Sequence, residues 1–77
     1  MNNERTISKA SLVLSDYTLA TDPEDRKAFL SILDRYIVSI EDLRVKNIFE
    51  RMTTTKDDTE RDLYIEILGE LLEDLNR

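Results

Sequence analysis

Apolar residues recur at three- and four-residue steps along four successive stretches of this 77-residue chain, and residues that start or stop helices stand between them. A strand would need a period of two, so the spacing commits the backbone to helix. The expected fold is an all-α compact bundle of four short helices, at about 6–20, 23–38, 40–53 and 58–75, in a single domain over 1–77 with short frayed ends at about 1–5 and 76–77. A chain of this length hides only roughly 60% of the surface its unfolded form would expose, so the core must be small. With 40% apolar residues and only one Gly and one Pro, the chain still separates clearly from a disordered tail.

Ile7, Ala10, Val13, Leu14 and Tyr17 form the inward stripe of the first helix. Leu12 and Leu19, seven residues apart on roughly the opposite side, are either covered by further packing, the simpler expectation, or an apolar strip shown to a partner. Asp22-Pro23-Glu24-Asp25 opens the second helix: Asp22 can cap, Pro23 suits the first helical position, and the acids favour the positive end of the helix dipole. Phe29, Ile32, Leu33, Tyr36, Ile37 and Ile40 are its expected inner face, with Arg26, Lys27, Asp34 and Arg35 in water. Val45, Ile48, Phe49 and Met52 form a stripe out of phase with the previous one, which places a break near Ser39. Ser39 with Asp42 resembles a cap, and Val38 with Leu43 a hydrophobic staple; one bent helix from Pro23 to Met52 is the alternative. Thr53-Thr54-Thr55-Lys56 separates off the last helix, where Thr55 or Asp57 can cap and Glu60 can complete a capping box with Asp57. The last helix has a wide apolar arc from Leu63 through Leu75, which points to a central place in the bundle or to a dimer seam.

Charge is unevenly placed. Residues 1–56 hold nine basic and nine acidic side chains, so the formal net charge of −6 comes entirely from residues 57–77. There Asp58, Asp62, Glu66, Glu70 and Glu73 fall on one side of the last helix, opposite Tyr64, Ile67, Leu68, Leu71 and Leu75.

The chain has no Cys and no His, which removes disulfides, thiolate or imidazole metal sites, and any catalyst built on those side chains. Glu66, Glu70, Glu73 and Asp74 have the spacing to offer Mg²⁺ two oxygens, but Glu41, Asp42 and Glu50 lie on the flanks of the third helix and supply no facing pair. Asp57-Asp58-Thr59-Glu60-Arg61-Asp62 lacks the sixth-position Gly of a calcium loop, and Leu68 falls where its bidentate Glu belongs. Ser8, Ser11, Ser15 and Thr18 form a polar seam without a neighbouring base, better suited to close helix packing than to nucleophilic chemistry. Helices two and three could imitate a helix-turn-helix with Arg44, Asn47 and Arg51 outward, yet Glu41, Asp42 and Glu50 interrupt any basic field.

Ser15-Asp16-Tyr17-Thr18 followed by Phe29-Leu30 loosely resembles the beginning of the small acidic four-helix immunity proteins that neutralise colicin nucleases. Those proteins carry a Tyr-Tyr-Pro segment on a short third helix, whereas this chain has no adjacent tyrosines and no Pro after Pro23. Asp22-Pro23 and the helix of the Phe29 to Ile40 type also resemble the second helix of bacteriocin immunity proteins of Gram-positive bacteria. Each likeness covers a small part of the chain, and neither carries a functional residue across.

These observations together lead to an expectation of a non-catalytic protein-binding module of the regulator, inhibitor or immunity type, cytoplasmic, with no cofactor, no metal and no membrane association. Its partner would be a protein, with a basic surface matching Asp58, Asp62, Glu66, Glu70 and Glu73, or an apolar one matching Leu12 and Leu19. The alternatives are a helix-turn-helix-like DNA-binding regulator and a helical structural subunit that self-assembles, as a homodimer through the first or the fourth helix.

Overall fold

The computed structural model describes residues 4–76, and these form four helices: α1 (Glu4–Leu19), α2 (Pro23–Ser39), α3 (Leu43–Thr54) and α4 (Asp58–Leu75). The helix α1 takes in Glu4 and Arg5, which the sequence pattern had left in a frayed end; residues 1–3 and 77 lie outside the described residues. The body measures 33 × 20 × 18 Å. Its length is close to that of α4, whose 18 residues rise ~27 Å.

An aspartate starts each helix after the first. Asp22 accepts a hydrogen bond from the Glu24 amide, with Pro23 in the first turn. Asp42 accepts from the Arg44 and Val45 amides, and Asp57 from those of Thr59 and Glu60. The carboxylates thus satisfy N–H groups that a helix start leaves without an intrahelical partner.

Helices α2 and α3 are separate, but the break differs in detail from the one read in the sequence. Helix α2 runs through Ser39, whose hydroxyl donates back to the Arg35 carbonyl instead of capping the next helix. The chain turns at Ile40, in extended conformation, because this buries the Ile40 side chain completely while its amide still donates to the carbonyls of Tyr36 and Ile37. Asp42, not Ser39, is the cap of α3. Val38 and Leu43 are both well exposed, so they form no buried staple.

The helices form a ring in which α1 lies against α2 and α4, and α3 against α2 and α4, with no close backbone approach across either diagonal among the described residues. Helix α4 is therefore a corner of the ring and not its centre; its apolar arc is wide because it packs against two neighbours. The core comprises Ile7, Ala10, Leu14 and Tyr17 of α1, Leu33 and Ile37 of α2 with Ile40, Val45, Phe49 and Met52 of α3, and Ile65, Leu68 and Leu72 of α4. In α2 the inner stripe is rotated from the expected one: Leu30 is half-buried whereas Ile32 is exposed. Arg26 is also half-buried, with its guanidinium 4.5 Å from the centroid of the Tyr17 ring. That stacking covers one end of the α1–α2 interface and explains why Arg26 is not fully in water.

Candidate functional site

The outer face of α4 begins at a densely bonded first turn. Asp57 Oδ1 accepts from the amides of Thr59 at 2.9 Å and Glu60 at 3.3 Å, while the Asp57 amide donates to Thr55 Oγ1 at 3.2 Å. The capping box is therefore only half built. The Glu60 carboxylate accepts instead from the Tyr64 hydroxyl at 3.0 Å. Arg61 reaches back over the same turn, donating to Asp58 Oδ1 at 2.6 Å and to the Thr55 carbonyl at 2.7 Å.

These bonds divide the acidic residues into two groups. Asp58 is ion-paired with Arg61 and does not share the free state of the others on the acidic face. Asp62, Glu66, Glu70 and Glu73 are all exposed, and among the described residues none of them has an ion pair or a side-chain hydrogen bond. They extend over three turns of helix, ~16 Å along the axis. Neighbouring carboxylates four residues apart repel, so this row costs helix stability.

Two residues next to the row were expected inside and are not. Leu63 is 54% exposed and Ile67 40%, because the buried arc of α4 is centred on Ile65, Leu68 and Leu72 and both residues lie far around the helix from it. The outer face is accordingly acidic with an apolar edge. Sequence periodicity missed this because an arc of eight apolar residues does not reveal which of its edges is covered.

On α1, Leu12 and Leu19 are 67% and 79% exposed, so neither is taken up by the bundle. Leu19 borders a shallow groove of about 350 Å³ between α1 and α4, together with Leu14, Ser15, Thr18 and Ile65. Of the seam hydroxyls, Thr18 donates to the Leu14 carbonyl at 2.9 Å, and Ser8 lies 3.4 Å from Asn76 Oδ1. Along this seam a Cβ built on Gly69 would stand 3.8 Å from Leu14 Cδ2, an ordinary packing distance.

On α3, Arg44, Asn47 and Arg51 are exposed. Arg44 is folded onto its own helix start, with Nη2 3.1 Å from Asp42 Oδ2. The hydrogen bond from Arg44, reinforced by the Val45 amide, holds the Asp42 carboxyl below its usual value despite partial desolvation. An arginine committed in this way has its fork occupied by a carboxylate, whereas phosphate recognition would require it open.

Among the described residues, no group of three or more His, Cys, Asp or Glu side chains converges as metal ligands would, and no helix is long and apolar enough to cross a membrane. The chain matches no family model, no curated protein and no solved structure at a significant level.

Proposed function

We propose that this small helical bundle is a non-catalytic protein-binding module that engages a basic protein surface through Asp62, Glu66, Glu70 and Glu73. The observation that carries this reading is the contrast between bonded and unbonded carboxylates. Asp22, Asp42 and Asp57 cap helices, Asp58 pairs with Arg61 and Glu60 accepts from Tyr64, yet the four residues of the outer row have no cation or donor among the described residues. A row of like charges opposes helix formation by itself, and a basic partner would convert that cost into attraction and a faster encounter.

The test is affinity capture at low and high salt with the native chain and with the Asp62→Lys, Glu66→Lys, Glu70→Lys triple variant. The captured proteins should be basic, should dissociate as salt rises, and should be lost with the triple variant while its helical circular dichroism is unchanged. Retention of the same proteins by the triple variant would sink the reading.

A further inference from the structure

Two surfaces that the sequence presents as separate candidates, the acidic row of α4 and the apolar strip of α1, border a single groove. Ile65 lies in the α1–α4 groove with Leu14, Ser15, Thr18 and Leu19. Leu14 also packs beside Gly69. The side of α4 carrying Ile65 and Gly69 therefore faces α1. Asp62 precedes Ile65 by three residues, while Glu66 and Glu73 lie three before and four after Gly69, so these acids stand on the adjoining helical row and form the groove's α4 rim. On the opposite rim, Ser15 lies three residues after Leu12 and four before Leu19, which puts the two exposed leucines just outside the small hydroxyl side chains.

Ser15 and Thr18 are small and leave the space above Leu14 and Ile65 open. The result is a trough with an apolar floor, apolar outer contacts on one rim and carboxylates on the other.

We infer that this trough receives an amphipathic helix with a leucine-type apolar stripe flanked on one side by Lys or Arg. This inference rests on the proposed acidic-face function and adds a site and a class of partner. A third helix laid over two packed neighbours would cover Leu12 and Leu19 with its apolar stripe while its basic flank meets Asp62, Glu66 and Glu73. Charge complementarity fixes both the kind of helix and its rotation about its own axis: turned the other way, it would set Lys or Arg on the leucines and apolar groups on the carboxylates.

The experiment uses two synthetic peptides of identical Leu and Lys composition, each ~18 residues or five turns long. One has Leu at helical spacing and the other has the order scrambled. Each is titrated into the ¹⁵N-labelled chain at low salt, with the native sequence and with Leu19→Ser, a change at an exposed position. The patterned peptide should shift the amides of Ser15, Leu19, Ile65 and Glu66, bind ~10-fold tighter than the scrambled one, and lose that advantage with Leu19→Ser. Equal binding of both peptides, with shifts confined to the acidic row and no effect of Leu19→Ser, would overturn the trough while leaving the acidic-face function standing. Absence of any shift in Asp62, Glu66, Glu70 and Glu73 with either peptide would overturn both. Shifts at Ser15, Leu19 and Ile65 produced by concentrating the chain alone would make a second copy the occupant and overturn the basic-helix assignment.

Discussion

The inner and outer sides of α4 have the same backbone and opposite energetics. Inside, Ile65, Leu68 and Leu72 are buried against neighbouring helices, and each apolar group gains from leaving water. Outside, Asp62, Glu66, Glu70 and Glu73 repel one another, and among the described residues none of them has an ion pair or a side-chain hydrogen bond. The difference teaches that the outer row is not explained by the stability of the fold. The inner side holds the helix in place, and the outer side is tolerated because the inner side is strong enough.

The comparison can be broken most severely from the inside. Leu68 is fully buried, and Leu68→Ala should cost about 2–5 kcal/mol in urea unfolding, a loss large enough to leave much of a small bundle unfolded. A cost below about 1 kcal/mol would mean that the inner side is not the holdfast described above. Next in size is the shared start of both sides: Asp57→Ala removes the acceptor for two amides and should cost about 1 kcal/mol in the same measurement. A similar magnitude of opposite sign is expected at Gly69. An alanine methyl there meets only Leu14 at ordinary packing distance, so Gly69→Ala should raise stability by roughly 0.5–1 kcal/mol and the melting temperature with it. The smallest effect sharpens the outer side: Glu66→Gln relieves repulsion with both Asp62 and Glu70 and should stabilise by about 0.2–0.5 kcal/mol per pair at low salt, fading as salt is added. Destabilisation by Glu66→Gln would mean that the row has a cation within the molecule after all.

The sequence was informative where local chemistry decides the structure. Pro23 behind Asp22 placed the start of α2, and the stripe of Val45, Ile48, Phe49 and Met52 located α3, because caps and helical period act within one or two turns. It was less informative where a choice depends on what packs opposite. Ser39 and Asp42 are both acceptable caps, and the burial of Ile40 between them is what selected Asp42. Ile32 and Leu30 are equally apolar, and which of them turns inward depends on how the neighbouring helices pack against α2. The acidic row was visible from spacing alone. Its separation from Asp58 was not, since that depends on Arg61 reaching back to the Thr55 carbonyl across the α3–α4 turn. Leu12 and Leu19 were recognised as facing away from the main stripe, but their place beside the acidic row required the antiparallel meeting of α1 and α4.

That meeting has one more consequence. Ser8 and Asn76 lie side by side though 68 positions apart, and Glu4, Arg5 and Lys9 surround the same depression. The start of α1 and the end of α4 thus meet at one pole, and a circular permutant in which a short linker joins these two helices and the chain is opened at Glu41 should retain the four helix pairings of the ring. The trough between α1 and α4 would then run between two helices adjacent in sequence, and its geometry could be tuned through the length of a single linker.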